Sequence, residues 1–324
     1  MYRSDMRQAS HATAPKSSTC DCFLRQASFV LVGHTDEMAD DSRTHTVGPV
    51  VAVLTAVLSM QFGAAFAATL FDRAGALGTV TLRLLFAAVI LCAFTRPRPR
   101  TWTPEQWRAV VTLGASLALM NTAFYGALTR LPLAATVTIE FLGPLGLAAI
   151  LSRRIRDALW VVLALAGVFL LGVGDGAGLS TGLDPLGAAF ALVAASGWAW
   201  YIIAGSRVAT TLPGSAGLAG ATTIAAVVVL PFGAATAGTA LLRPDLALAG
   251  LAVALLSSAI PYTLEIRALR DLPKKVFAIL IALEPAAAAL AGVLVLGQFV
   301  DPLALVGIAL VVIAGAGALQ HSRA

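Results

Sequence analysis

Ala127-Leu128-Thr129-Arg130-Leu131-Pro132 recurs later in the chain as Ala268-Leu269-Arg270-Asp271-Leu272-Pro273, and Pro144 recurs as Pro285, both at an offset of 141 residues. The chain therefore reads as two related halves. Working outward from these matches, apolar helices are expected over about 47–69, 76–95, 107–128, 133–151 and 157–173 in the first half. The second half supplies about 185–205, 214–235, 246–267, 274–296 and 302–319. Each is near the roughly 20 residues that a helix needs to cross hydrocarbon. Five is an odd number, so equivalent loops of the two halves fall on opposite membrane faces. The expected fold is an all-α integral membrane protein of ten transmembrane helices in two inverted five-helix repeats, 47–173 and 185–319. Inverted repeats around a midplane site are a signature of secondary transporters, in which one half rocks against the other.

Composition agrees with a membrane interior as solvent. Of 324 residues 58% are hydrophobic and only 12% are charged, with a mean hydropathy of +0.86. A soluble core cannot absorb that much apolar surface. The net charge of +5 does not point to nucleic acid, because the basic residues lie in short clusters between apolar segments rather than along one stripe. They read instead as topology signals, cytoplasmic loops being the ones enriched in Lys and Arg. Arg96, Arg98, Arg100, Arg108, Arg153, Arg154, Arg156, Arg207, Arg267, Arg270, Lys274, Lys275 and Arg323 fall on one side, against Arg73, Arg130 and Arg243 on the other. That bias puts both termini in the cytoplasm and the chain in the inner membrane.

Residues 1–46 are polar and aperiodic, and they read as a disordered cytoplasmic tail or the product of a mis-assigned start upstream of Met38. Cys20, Cys22 and Cys92 form neither a zinc pattern nor a disulfide framework. No metal and no cofactor is expected. The chain has no Gly-x-x-x-x-Gly-Lys-Ser/Thr loop, no His-Glu-x-x-His and no Gly-x-Ser-x-Gly, which argues against ATP hydrolysis and against an intramembrane protease or lipase.

Ionisable groups inside hydrocarbon are costly, roughly 2.5 to 3.5 kcal/mol each, so each one is a functional hypothesis. Glu140 lies near the middle of the fourth apolar segment and Glu284 near the middle of the ninth, each close to one of the matching prolines. Pro144 and Pro285 remove the helical donors to the carbonyls of Glu140 and Ile281. Free carbonyls beside a midplane carboxylate suit an ammonium group or a coupling proton. Arg83 is the only basic residue deep in an apolar segment, and it suits a substrate carboxylate or a pairing with Glu140. Opposed charges of this kind match a zwitterion; the alternative is a buried structural ion pair. Asn121, Tyr125, Trp198, Trp200, Tyr201 and Tyr262 add polar or aromatic handles, each also readable as an interfacial anchor or a packing residue. Glu265 and Arg267 lie near the cytoplasmic end of the eighth helix, where topology or gating is the simpler role.

Ile139-Glu140-Phe141-Leu142-Gly143-Pro144-Leu145, Leu151-Ser152-Arg153-Arg154, Ser257-Ser258-Ala259-Ile260-Pro261-Tyr262-Thr263-Leu264-Glu265 and Ala282-Leu283-Glu284-Pro285-Ala286 through Gly292 carry a family resemblance. Over about 47–319 the chain resembles the EamA group of the drug/metabolite transporters, and within it the threonine/homoserine exporter type. The resemblance implies proton-driven efflux of small amino acids through ten helices with cytoplasmic termini. One departure is Leu296-Gly297-Gln298, where such proteins often have Leu-Gly-Glu; an effect on a loop or helix cap is expected there, not on coupling.

The reading that follows is a proton-coupled exporter of small neutral amino acids. Glu140 and Glu284 are its binding or protonation sites, Arg83 is a carboxylate anchor, and Asn121, Tyr125, Trp198, Tyr262 and Glu265 are further candidates. The alternatives are export of another metabolite or a hydrophobic drug on the same scaffold and, more remotely, an ion channel or membrane-embedded enzyme.

Overall fold

The computed structural model describes residues 47–321 except 152–154, 175–182, 213–214, 262–263, 265–267, 269–271 and 273. The tail 1–46, and with it the expectation of disorder, lies outside the described residues. Among those residues the secondary structure is helical throughout.

In chain order the helices are α1 (Val47–Ala68), α2 (Phe71–Thr95), α3 (Pro104–Leu128), α4 (Leu133–Glu140), α5 (Leu142–Leu151), α6 (Ile155–Gly174), α7 (Pro185–Thr211), α8 (Ala216–Ala237), α9 (Pro244–Ala254), α10 (Lys274–Ile281), α11 (Glu284–Leu296) and α12 (Pro302–His321). Their ends follow local chemistry. Thr103 caps α3 through a capping box with Gln106, and Pro104 fills the first turn, where no backbone donor is needed. Asp184 caps α7 by accepting the Gly187 N–H at 2.6 Å. Gly297, at φ 63°, closes α11 in the left-handed conformation that glycine adopts without penalty.

Among the described residues, six stretches are long and apolar enough to cross a membrane, and four further apolar helices are shorter. The shortening has identifiable causes. The expected single helix over 133–151 is two, because α4 stops at Glu140 and α5 starts at Leu142. The expected helix over 274–296 likewise breaks between α10 and α11. Each break lies just before a proline, where the ring removes the donor for the carbonyl four residues back. The eighth helix leaves α-geometry at Leu255–Ala259, a π-helical turn. The second helix starts five residues earlier than expected, at Phe71, and is interrupted at Gly75 (φ 67°, ψ 167°).

Packing pairs α3 with α7, α2 with α8, α6 with α12 and α1 with α11. Small residues allow backbones to approach, as membrane helix interfaces require: a side chain at Gly197 would meet the Met120 backbone, and one at Gly167 the Gly307 carbonyl. The apolar clusters are not symmetric from end to end. Near the 69–70, 129–132 and 297–301 connections, Ala64 and Ala65 of α1, Leu70 in the turn after it, and Ala288 and Ala291 of α11 share one cluster with Phe124 and Leu133. Toward the opposite end, Val53 and Val57 of α1 pack with Leu272 and Phe277 in a separate cluster, apart from Ala109, Val110, Ala204 and Val208 of α3 and α7.

Candidate functional site

The two helix breaks meet. Phe141, the residue between α4 and α5, and Ala282, between α10 and α11, belong to one buried cluster, and a side chain at Gly315 of α12 would touch both, at 2.7 Å and 3.1 Å. Glu140 immediately precedes one break and Glu284 opens the helix after the other, so chain geometry brings both carboxylates to this crossing. Both are buried, at 9% and 6% exposure.

Arg83 reaches the same region from α2. Its Nη1 donates to the Tyr125 hydroxyl at 3.5 Å, and its Cζ stands 5.6 Å from the centre of the Tyr125 ring, within cation–π range. Its charge acts on the Glu140 carboxylate. Tyr125 is fully buried and is held by Phe71 and Phe124, whose ring centres lie 5.8 Å and 5.9 Å away. Arg83 and Tyr125 are thus in contact, with Arg83 half-buried, and the Arg83 charge acts on the buried Glu140 carboxylate.

The other sequence candidates are placed less directly. Asn121 is buried one helical turn before Tyr125, but its amide nitrogen donates to the Leu117 carbonyl of its own helix at 2.8 Å, so half of its polarity is already used. Trp198 of α7 packs edge-on against Phe141, with centroids 5.8 Å apart, and supports the break rather than the charges. Tyr262 and Glu265 lie outside the described residues.

Two buried polar groups escaped the sequence reading. Gln61 in α1 and Ser257 in the π-helical turn are 3% and 1% exposed, and among the described residues Oε1 of the one and Oγ of the other lack a hydrogen-bond partner. The signal for Gln61 was its place in an otherwise apolar run; that for Ser257 was the pair Ser257-Ser258. Beside them Ser59 donates to the Leu256 carbonyl at 2.8 Å, tying α1 to the π turn.

Comparison with known proteins matches residues 185–319 to the model of the EamA-like transporter family. The chain is 40% identical over 276 residues to threonine/homoserine exporter RhtA of Escherichia coli strain K12, covering 85% of this chain and 92% of that protein. The chain belongs to the EamA-like transporter family, threonine/homoserine exporter type. The RhtA protein of Salmonella typhimurium strain LT2 matches at the same identity and coverage. A solved crystal structure aligns with a TM-score of 0.56 over 84% of this chain and 96% of its own, at 22% identity, a likeness of fold alone. Membership makes this EamA protein a multi-pass membrane transporter and not an enzyme.

Proposed function

We propose that this EamA protein exports small neutral amino acids of the threonine and homoserine kind across the inner membrane in exchange for protons. The arrangement that carries the reading is the half-buried Arg83 on Tyr125 with its charge acting on the buried Glu140, because it offers opposite charges to the two ends of a zwitterion. The Arg83 guanidinium would hold the substrate carboxylate, and Glu140 would hold either the ammonium group or a proton. Glu284 stands at the same crossing as the second carboxylate. Asn121 lies one turn before Tyr125 with its amide donating to its own helix, Trp198 packs on the break at Phe141, and Tyr262 and Glu265 are candidates from sequence. The exporter relatives at 40% identity supply the substrate class. Small amino acids are the partner, with protons and the bilayer.

The ten-span, inverted-repeat architecture belongs to the same proposal. An eight-residue helix followed by a break and a second helix occurs at Leu133–Glu140 and again at Lys274–Ile281, at the 141-residue offset of the sequence match. With five spans in each repeat, 47–173 and 185–319, the two broken helices would cross the membrane in opposite directions, and both termini would be cytoplasmic.

The test uses everted vesicles from cells producing the protein, supplied with labelled threonine and homoserine with and without a pH gradient. Saturable accumulation that requires the gradient is expected, and Glu140→Gln should abolish the uphill component while the protein remains inserted. Normal gradient-driven accumulation by Glu140→Gln rules out this carboxylate as the coupling site.

A further inference from the structure

The first turn of α4 presents a problem that its own sequence does not solve. The first four N–H groups of a helix have no partner inside it. Pro132 precedes α4 in an extended conformation and provides no side-chain cap, and Thr136 turns its hydroxyl to the Pro132 carbonyl instead. Leu133 is fully buried, so water does not reach its N–H. The partner comes from the other half of the chain: Oε1 of Gln298 accepts the Leu133 N–H at 3.0 Å across 165 residues.

Gln298 is held for this task. The left-handed turn at Gly297 reverses the chain after α11, and the Gln298 N–H donates to the Gly292 carbonyl at 3.1 Å. Gly292 leaves the amide room, since a side chain there would lie 2.5 Å from Oε1. Around this bond the contact between α4 and α11 is made of small apolar groups. Ala134 meets Ala289, and Leu133 lies in the cluster that holds Ala288 and Ala291. Such a surface separates without stranding a polar atom. The Gln298 bond is the exception, because it ties the helix that ends in Glu140 to the opposite repeat, at the end where the clusters of both halves merge.

We propose that Gln298 is a positioning residue of the transport cycle: it latches the outer end of α4 to α11, and the bond breaks when that end opens. The proposal rests on the orientation assigned under the proposed function, and it makes the described conformation one that is closed outside.

The test places one reporter, Ala134→Cys, in a full-length background with Cys20, Cys22 and Cys92 replaced by serine, and measures labelling by a membrane-impermeant maleimide in intact cells. Ala134 is 6% exposed and shares a buried cluster with Ala289 of α11 and with Ala304 and Ile308 of α12. Gln298→Ala and the near-isosteric Gln298→Met, which has no comparable acceptor, are expected to speed outside labelling roughly 5- to 30-fold, the shift that 1 to 2 kcal/mol produces. Gln298→Glu restores an acceptor and places an anion at a helix N-terminus; it should label more slowly than wild type and export more slowly. A residue that merely stabilised the fold would lower the amount of protein without changing the labelling of what is inserted. Unchanged labelling in all three variants overturns the latch, and acceleration seen only in everted vesicles overturns its assignment to the outer end. Neither readout depends on the cargo, so an error in the substrate class leaves this test standing.

Discussion

If Arg83 and Glu140 act as one electrostatic unit, removing both should cost less than the sum of removing each. Glu140 is buried at the end of α4, and the opposite charge that acts on it is that of Arg83. Arg83→Leu removes the positive charge that acts on that carboxylate, and because Arg83 is only half-buried the loss is about 1 to 3 kcal/mol, to which the lost cation–π contact with Tyr125 adds about 0.5 to 2 kcal/mol. Glu140→Gln keeps the shape and leaves Arg83 on Tyr125, so its cost is the smaller one, about 1 to 3 kcal/mol. In the double variant no uncompensated carboxylate remains, and the penalty should fall short of the sum by about 0.5 to 3 kcal/mol. The assay is thermal unfolding of detergent-purified protein for the four forms, read beside equilibrium binding of labelled threonine. Binding should weaken most in the forms without Arg83. Stability changes that add to within about 0.5 kcal/mol would refute the reasoning, because independent sites behave that way. So would threonine binding that survives Arg83→Leu unchanged.

Two other outcomes follow from the packing and the caps. Gly63→Val drives a side chain into Ser257 and Leu256 of the π turn, and it should cost about 1 to 3 kcal/mol of stability as overpacking does, measurable as a lower melting temperature and slower export. At the surface, the Gly187 N–H and the neighbouring Arg130 guanidinium hold the Asp184 carboxyl below the usual carboxylate range. A depressed pKa adds stability that is present above the unfolded value and is lost as the pH falls through the folded one. Asp184→Ala should therefore lower the melting temperature at pH 7, and the difference from wild type should shrink once the pH drops below about 4; a difference that persists unchanged into acid would show that the cap does not work through its charge.

What the sequence made legible was what hydrocarbon penalises. A lone Arg83 and a Glu140 in apolar runs stand out because ionisable groups are costly there, and the structure sets Arg83 on Tyr125 with its charge acting on Glu140. The prolines at 144 and 285 marked the broken helices, although the reading kept each as one continuous span. Periodicity says nothing about which faces meet, so the packing of Trp198 on Phe141 was hidden, as was the turning of Asn121 to its own helix. Gln61 and Ser257 were passed over because amides and hydroxyls are inexpensive to bury when bonded, and only the fold leaves their oxygens without partners. The tie between Gln298 and Leu133 spans the whole second half of the chain, and nothing local to either residue announces it.

The two carboxylates occupy different settings at their helix breaks. At the 141-residue offset Glu140 corresponds to Ile281 and Glu284 corresponds to Gly143, so the acidic groups lie on opposite sides of equivalent breaks. Glu284 opens α11, where the unpaired N–H groups and the helix dipole favour an anion. Glu140 closes α4, where the carbonyl end offers an anion no such support. Its charge depends on Arg83, which a different helix supplies and which a substrate carboxylate can engage. The two carboxylates thus stand at opposite helix ends, one with the support of an N-terminus and one without it. Under the proton exchange proposed above, Glu140 rather than Glu284 would be the group whose proton and amine partner alternate, and Glu284→Gln should then reduce gradient-driven export less than Glu140→Gln does.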